Sequence, residues 1–400
     1  MNVSPVPDDV RMAVAGERLP ALVVDRDRVD ANCTDLRARA NGTTIRVASK
    51  SLRIPELIRY VLDKPGFSGV LGYTLAEALD LFDAGISDDI VVAYPTTDRV
   101  ALEQLASNAQ ARAAITIMID CVEHLDFLTA ALSPYLPDGA RVRVCLDVDA
   151  SWKPLPGVHI GTHRSPTHSP QAAAELATAA ANTPLFTVVG IMMYEGHIAG
   201  VGDNTGDLRQ YGVRIMQALS KRELAKRRKK VVAAVEKAVG KLEFVNGGGT
   251  GSLESTCAEE AVTEAAAGSG IVGPLLFDFY RHFQPTPAEW FVLPVVRRPS
   301  DGIATAAGGG RIASGPAGAE RLPQPVYPEG LSYIADEGPG EVQTPLAGEQ
   351  AQSLRIGDPV WMRHAKAGEP AEHANEAVIV SGGEIIDRWA TYRGNGRMYA

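Results

Sequence analysis

The sequence predicts an α/β fold, a closed (β/α)8 barrel of the TIM type followed by a C-terminal, mostly β domain. Short β-branched runs alternate with amphipathic helical stretches from residue 20 to about residue 275. Helical periodicity fades beyond Phe277, where strand-like runs surround a segment rich in Gly and Pro. A chain of 400 residues is also long enough for two cores. We therefore expect a barrel over residues 18–276 and a β-rich domain over residues 277–400. Residues 1–17 are assigned to the β-rich domain.

Eight runs have the composition of buried parallel strands, and eight strands with helices between them favour a closed barrel over an open doubly wound sheet, which is the alternative. The runs are ALVVD (21–25), IRVAS (45–49), SGVLG (68–72), DIVVAY (89–94), ITIMID (115–120), RVRVCLDVD (141–149), FTVVGIMMY (186–194) and LEFVNGGG (242–249). Asp27, Thr74 and Ser169 stand where helix N-caps are expected.

The bulk composition excludes several classes of protein. A net charge of -9 argues against a nucleic-acid binder. The four cysteines lie far apart and indicate reduced thiols in the cytoplasm rather than disulfides or a zinc ribbon. The N-terminal residues lack the pattern of a secretory signal, and no uncharged run is long enough to cross a membrane. The basic run KRELAKRRKK (221–230) is interpreted as a solvated helix face rather than a phosphate-binding patch.

Lys50 follows the apolar run IRVAS at the start of a new helical pattern. Catalytic groups of barrel enzymes sit at the carboxyl ends of the strands, and a lysine there can form a Schiff base with a carbonyl compound. Taken alone, such a lysine also fits a strand that simply ends at the surface.

The segment FVNGGGTGS (244–252) ends a strand in three glycines. Exposed N–H groups and hydroxyls in such a turn form a nest for an anion. The segment matches neither the Walker pattern nor the dinucleotide pattern, so Gly248, Gly249 and Thr250 are candidates for binding a monophosphate. An ordinary glycine-rich turn is the alternative.

Two further segments carry ionisable groups. In GIMMYEGHIAG (190–200), Tyr194 and His197 follow a strand and suit proton transfer or ring stacking. In GVHIGTHRSPTHS (157–169), three histidines surround Arg164 without a carboxylate at matching spacing, so a metal site there is disfavoured and the arginine is the better candidate.

A polar segment, WMRHAKAGEPAEHANEAVIV (361–380), separates two strands of the β-rich domain. His373 and Asn375 are two residues apart and would face the same way in an extended backbone. A polar hairpin loop is the simpler interpretation of this segment.

Together these segments resemble the fold-type III pyridoxal phosphate enzymes, in particular the D-threonine aldolase and D-serine dehydratase group with its alanine racemase-like N-terminal barrel. The resemblance covers roughly residues 18–395. It rests on the order and spacing of IRVASKS, GTHRSP, MMYEGH and NGGGTGS.

The resemblance implies a cofactor, pyridoxal 5'-phosphate, held covalently by Lys50. It implies that Arg164 meets the phenolic oxygen of the cofactor, that Tyr194 and His197 lie near the reacting atoms, and that the glycine turn holds the phosphate. It also places His373 and Asn375 at the position of a divalent metal pair. Asn375 departs from the Asp or Cys of that group, and an amide oxygen is a weaker ligand.

The activity implied is that of a lyase, an aldolase or dehydratase, acting on a β-hydroxy D-amino acid. An amino-acid racemase is the runner-up. A non-enzymatic carrier of the cofactor shares the barrel and the lysine, but the β-rich domain argues against it. A cofactor-free Schiff-base aldolase acting on a sugar phosphate represents a different class. The partners expected are a small amino-acid substrate and a second copy of the chain in a homodimer, with no nucleic acid or membrane.

Overall fold

The computed structural model of the protein describes residues 5–399, which form two compact units. The barrel unit contains Leu36–Lys50, Ile58–Gly268 and Tyr399, whereas the sheet unit contains the described residues up to Asp35, Ser51–Leu57 and Ser269–Met398. Residues 1–4, which were predicted to join the β-rich domain, lie outside the described residues.

The chain enters the sheet unit first. It forms α1 (Asp8–Ala13), β1 (Ala21–Asp25) and α2 (Arg26–Ala40). Strand β1 pairs antiparallel with the later segment 289–292 and parallel with 377–380. ALVVD, predicted as the first barrel strand, is therefore a strand of the other sheet.

Eight parallel strands close the barrel, so the predicted fold class is confirmed and the open-sheet alternative is wrong. The strands are β2 (Thr44–Ala48), β3 (Phe67–Gly72), β4 (Ile90–Val92), β5 (Ile115–Ile119), β6 (Val142–Asp147), β7 (Phe186–Met193), β8 (Phe244–Gly247) and β9 (Glu264–Ala267). The last of them, EAAA, was missed because alanine and glutamate have little preference for strands. It pairs with β2 and β8 and takes the place that ALVVD was expected to fill.

Helices follow most of the strands, as in other barrels of this type. They are α3 (Pro55–Leu62), α4 (Leu75–Asp83), α5 (Arg99–Ser107), α6 (Ala109–Ala114), α7 (Val122–Leu132), α8 (Pro170–Asn182), α9 (Gly196–Ala199), α10 (Arg209–Val239), α11 (Leu253–Cys257) and α12 (Ser269–Val272). No helix within residues 5–399 combines the length and the apolar character needed to cross a membrane.

Helix N-caps appear where the sequence placed them, with one exception. Thr74 Oγ1 accepts from Glu77 N at 3.2 Å, and Ser169 Oγ accepts from Ala172 N at 3.1 Å. At α2 the capping group is the carboxylate of Asp25, which accepts from Asp27 N at 3.0 Å. The carboxylate of Asp27 instead accepts from Ser381 Oγ and Gly382 N.

The sheet unit is built from strands that are mostly antiparallel around two edge-to-face tryptophans. The strands are β10 (Glu289–Ser300), β11 (Ile303–Ala307), β12 (Gln324–Tyr327), β13 (Ser332–Tyr333), β14 (Gln343–Ala347), β15 (Pro359–Arg363), β16 (Glu376–Ser381) and β17 (Glu384–Ala390). Trp290 on β10 and Trp361 on β15 are fully buried, with ring centroids 6.2 Å apart. They pack with valines of α1, β1, β10, β12 and β16 into one core, so the unit has an apolar centre of its own.

Candidate active site

The barrel brings most of the predicted site residues to one end. All eight strands are parallel, so their carboxyl ends lie together. Lys50 comes two residues after β2, Tyr94 two residues after β4, Tyr194 directly after β7 and Gly248 directly after β8, while Asp147 is the last residue of β6. The lysine and the glycine turn therefore share one mouth of the barrel.

Lys50 lies in a single 3-10 turn, Ser49–Ser51, that links β2 to α3. Ser49 is fully buried and its Oγ donates to Leu71 O at 3.2 Å, which holds the turn against the next strand. The side chain of Lys50 is exposed, and its Nζ donates to Tyr94 Oη at 2.8 Å. The amine is thus accessible and oriented by a phenol.

The pKa of Tyr94 is affected by the charges of Lys50 and Arg164. Burial raises the pKa of Tyr94, but the charge and hydrogen bond of Lys50, together with the charge of Arg164, outweigh burial and leave that pKa below its ordinary value. A phenol with a lowered pKa ionises more readily than an ordinary tyrosine, and only its phenolate form can accept a proton from a lysine ammonium.

Arg164 supplies a cation between two tyrosines. It is exposed, and its Cζ lies 5.6 Å from the ring centre of Tyr94 and 6.0 Å from that of Tyr194. Within residues 5–399 its guanidinium makes no hydrogen bond, so its donors are available to a ligand. This is the arrangement expected of an arginine that meets an anionic oxygen of a ligand.

The neighbouring histidines do not converge on a common point. His159 and His163 stack with ring centres 3.9 Å apart, and His159 Nε2 lies 3.0 Å from Thr162 O. His168 Nε2 lies 3.1 Å from Ser151 O. These contacts give the rings a structural role in the loop that carries Arg164.

Tyr194 packs directly on the glycine turn. A Cβ at Gly249 would lie 3.1 Å from Tyr194 Cε2 and 3.1 Å from the methyl group of Ala199, so only glycine fits there without displacement. Burial raises the pKa of Tyr194 to about 12, so its phenol is neutral at physiological pH and acts as a packing surface and hydrogen-bonding group.

His197 is more enclosed than the sequence suggested. It lies in α9 with 5% of its surface exposed, and its Nε2 is 2.5 Å from Ser220 Oγ. Its Nδ1 is buried and has no hydrogen-bond partner among the described residues. Burial lowers the pKa of His197 despite the nearby charge of Glu195, so the ring is neutral and Nδ1 is an unused polar atom next to the mouth.

The glycine turn is held from behind by side chains that the sequence reasoning passed over. Gly248 adopts a φ of +78°, and its N–H donates to Glu195 Oε2 at 3.2 Å. Gly249 N donates to Ser252 Oγ at 3.2 Å. Thr250 is buried, and its carbonyl accepts from Arg39 Nη2 at 2.5 Å. Whether these residues bind a phosphate stays a prediction.

The basic run at 221–230 is only partly a solvated face. Lys226, Lys229 and Lys230 are exposed, as interpreted. Arg227 and Arg228 are buried, which corrects that interpretation for these two residues. Arg227 donates to the carbonyls of Asp149 and Ser151 at 2.7 and 2.9 Å, so one face of the run anchors the chain after β6. A helical wheel with period 3.6 would have placed both arginines near the apolar positions Leu224 and Val231.

Asp147 is a further group at the mouth that the sequence reasoning did not select. Burial, and then the charge of Asp120, raise the pKa of Asp147 to about 7, against the opposing effect of Arg164. A carboxyl group that titrates near neutrality can give or take a proton under physiological conditions. The signal was available in RVRVCLDVD, where an apolar strand ends in acidic residues.

The predicted metal pair lies in the sheet unit and offers few donors. His373 and Asn375 are both exposed. The adjacent carboxylate of Glu372 accepts from Arg53 Nη1 at 2.8 Å, and that of Glu369 accepts from Ser314 N at 3.0 Å. An imidazole and an amide whose neighbouring carboxylates already accept other hydrogen bonds are a weak donor set for a divalent metal.

One other cluster of potential ligands occurs in the described chain. The ligand atoms of Asp120, Cys121 and His124 lie within 4.8 Å of one another. The imidazole and the carboxylate already contact each other at 3.0 Å, and burial raises the pKa of the Cys121 thiol to about 11. The contact between the imidazole and the carboxylate accounts for the cluster without an ion.

Comparison with known proteins identifies a family whose model matches most of the barrel sequence. A family model described as "Alanine racemase, N-terminal domain" matches residues 24–273. A curated relative, 3-hydroxy-D-aspartate aldolase of Paracoccus denitrificans, is 26% identical over 235 residues, which is 58% of this chain and 54% of the relative. The chain therefore spans about half the length of that relative.

Solved structures share the fold of the whole chain. D-threonine aldolase from Filomicrobium marinum has a TM-score of 0.75 at 20% identity, covering 94% of this chain and 95% of its own. D-threo-3-hydroxyaspartate dehydratase from Delftia sp. HT23 has a TM-score of 0.71 at 17% identity, covering 95% and 98%. At these identities the likeness establishes the fold alone.

Proposed function

Because the chain belongs to the family of the alanine racemase N-terminal domain, to which residues 24–273 correspond, we propose that it binds pyridoxal 5'-phosphate through Lys50 as a lyase for a β-hydroxy D-amino acid. The observation that carries this proposal is the shared barrel mouth: an exposed lysine amine follows β2 and a glycine turn follows β8 of the same closed barrel.

The residues present fit the cofactor. Lys50 supplies the amine, Arg164 an exposed guanidinium beside two tyrosine rings, and Gly249 a surface without a side chain. His197 Nδ1 is a buried polar atom without a partner among the described residues. When bound, the cofactor supplies an electron sink for the bond that breaks at Cα.

The chain's own groups would then divide the work of proton transfer. As a phenolate, which its lowered pKa favours, Tyr94 Oη would take the proton that Lys50 Nζ, 2.8 Å away, must lose to become a nucleophile. Asp147, with a pKa of about 7, holds or releases a proton at the mouth. Arg164 would orient an anionic oxygen of the ligand, and the neutral ring of His197 would offer its Nδ1 to the substrate hydroxyl.

A colour test addresses the proposal directly. Protein prepared with pyridoxal 5'-phosphate should be yellow, with a visible absorbance that borohydride bleaches, and Lys50→Ala should be colourless. Lys64→Ala is the matched control, since Lys64 also donates to a tyrosine, Tyr60, at 2.9 Å. A wild type that stays colourless after reconstitution would exclude the lyase, the racemase and the cofactor carrier together.

The reaction itself is identified by its products. Cleavage of a β-hydroxy D-amino acid between Cα and Cβ gives glycine and an aldehyde, elimination gives ammonia and a keto acid, and racemisation gives the other enantiomer. A screen of D- and L-amino acids for these products decides among them. Turnover that yields only the inverted enantiomer would replace the lyase with a racemase.

We propose further that turnover needs no metal at His373 and Asn375, because both are exposed and the carboxylates of Glu372 and Glu369 beside them already accept other hydrogen bonds. Incubation with a chelator should leave the activity unchanged, and His373→Ala should match wild type. A loss of activity that manganese or zinc restores, and that His373→Ala reproduces, would reverse this conclusion. A homodimer in the cytoplasm belongs to the same proposal, and light scattering of the purified chain tests its dimeric part.

A further inference from the structure

A buried carboxylate lies directly behind the glycine turn. Glu195 is 1% exposed and accepts four hydrogen bonds. The donors are Gly248 N at 3.2 Å, Ser252 Oγ at 2.8 Å, Arg228 Nη2 at 2.9 Å and the hydroxyl of Thr256. These donors come from the turn, from α10 and from the segment around α11, so a single side chain joins three parts of the barrel unit.

The charge of Glu195 is balanced by Arg228, which binds the same carboxylate oxygen that accepts from Gly248 N. Arg228 is fully buried and contacts Glu195 Oε2 at 2.9 Å and Glu259 Oε2 at 2.5 Å. It also donates to Met193 O at 3.1 Å. A buried carboxylate needs such a partner, since its desolvation otherwise opposes ionisation. The long helix α10 thus supplies the cation that lets an acidic group stand beside an anion-binding turn.

The conformation of the turn depends on this carboxylate at two successive residues. Gly248, in the left-handed region at φ +78°, directs its N–H at Glu195. Gly249 N donates to Ser252 Oγ, and that hydroxyl in turn donates to Glu195 Oε1. The backbone of Thr250 and Gly251, next along the chain, takes its direction from these two fixed peptides.

We propose that Glu195, neutralised by Arg228, is a positioning residue that fixes the glycine turn in the shape that receives the phosphate of the cofactor. It acts through the turn and does not itself touch the ligand. This inference rests on the proposed binding of pyridoxal 5'-phosphate and assigns its phosphate affinity to a residue behind the site.

The test separates phosphate recognition from binding of the aldehyde. Dissociation constants are measured for pyridoxal 5'-phosphate and for pyridoxal, which lacks the phosphate, with wild type, Glu195→Gln and Glu259→Gln. Both variants remove one negative charge from the same guanidinium, but only Glu195 contacts the turn. Glu195→Gln should weaken the binding of pyridoxal 5'-phosphate by about tenfold and the binding of pyridoxal by less than about twofold. Glu259→Gln should leave the ratio of the two constants at the wild-type value.

Ser252→Ala provides a milder second variant, because it removes only the hydroxyl that links Gly249 N to Glu195. It should lower the preference for the phosphorylated ligand by about threefold, even if Glu195→Gln does not fold. Equal ratios in wild type, Ser252→Ala and Glu195→Gln would overturn the inference while leaving the cofactor proposal intact. A wild type that binds neither ligand would overturn both.

Discussion

Lys50 and Tyr94 meet because two strands of one barrel, β2 and β4, end at the same level and each continues for two residues before its functional side chain. A parallel barrel turns positions that are distant in sequence into neighbours at its carboxyl end. Which side chains point toward the mouth depends on the turns that follow the strands. The 3-10 turn at Ser49–Ser51 is one such turn.

Asp147 should determine how activity changes with pH near neutrality. Its pKa of about 7 means that the carboxylate form dominates above neutrality. If Asp147 acts as a base, activity should rise with pH through about 7, and Asp147→Asn should lower kcat roughly 10²-fold and abolish that limb of the pH profile. The charges that act on it are those of Asp120, Arg164 and Asp149. An Asp147→Asn enzyme with an unchanged pH profile would remove the residue from proton transfer.

Sequence reasoning selected the site residues that follow strands and missed those that reach the site from a distance. Lys50, Tyr194 and Gly248 directly follow apolar runs, so a simple topological rule finds them. Arg228 reaches Glu195 from a helix 33 positions later in the chain, and such a contact depends on helix packing rather than on any local pattern. Tyr94 was not selected, although it ends the run DIVVAY just as Tyr194 ends FTVVGIMMY.

Helix α10 shows how composition can mislead about an element. Its run of basic residues suggested a solvated surface, yet Arg227 and Arg228 are buried while their neighbours are exposed. Arginine is suited to such a role because its five donors can satisfy several carbonyl and carboxylate groups at once. Arg227 uses two of its nitrogens on the carbonyls of Asp149 and Ser151.

A thermal unfolding experiment tests the anchoring role of α10. Arg227→Met should destabilise the protein by about 2 kcal/mol or more, because the buried carbonyl of Asp149 loses its donor and that of Ser151 loses one of its two partners. Lys226→Met makes the same change in charge at the exposed neighbouring position and should change the free energy of unfolding by less than about 0.5 kcal/mol. Similar melting temperatures for the two variants would contradict the anchoring role.

Which segments form the eight barrel strands was the part of the fold hardest to predict from sequence. ALVVD has the composition of a barrel strand, and EAAA has the composition of a helix. In the structure ALVVD lies between β10 and β16 of the sheet unit. EAAA takes the barrel position expected for ALVVD and closes the barrel between β8 and β2. Tertiary pairing overrides local preference at both positions, and eight strands were correctly counted with one of them wrongly chosen.

At the scale of the whole molecule, stability should depend on two buried ionisable groups of the sheet unit. Glu289 Oε1 lies 3.6 Å from His364 Nδ1, and neither side chain has a hydrogen-bond partner among the described residues. Burial raises the pKa of Glu289 from 4.5 to about 8 and lowers that of His364 from 6.5 to about 3. Both groups are therefore neutral near pH 6, and the close contact is not an ion pair.

The directions of the two pKa shifts predict how Glu289 and His364 change the free energy of unfolding with pH. Below pH 6.5 the unfolded chain protonates His364 more readily, so stability falls toward acid until pH reaches about 3. Above pH 4.5 the unfolded chain releases the Glu289 proton more readily, so stability falls toward pH 8. These two contributions offset each other between pH 4.5 and 6.5, where the raised pKa of Asp147 still makes stability fall toward pH 7, and between pH 7 and 8 the loss due to Glu289 continues.

Denaturant unfolding at several pH values checks this prediction. Glu289→Gln keeps the shape of the side chain and removes its titration, so it should flatten the decline between pH 6.5 and 8. Glu376→Gln, at an exposed carboxylate on β16, should keep the wild-type profile. A decline of equal steepness in all three proteins would show that Glu289 is not its source.

The pairing of β1 determines when the sheet unit can be completed. Its parallel neighbour β16 aligns Leu22 with Ala377, so the two strands are separated by nearly the entire chain, whereas the barrel strands all lie between Thr44 and Ala267. During synthesis the early strand must remain unpaired along that edge until residues 377–380 have left the ribosome. Nascent chains stalled before Glu376 should accordingly expose β1 to proteases or chaperones, while their barrel segment is already protected.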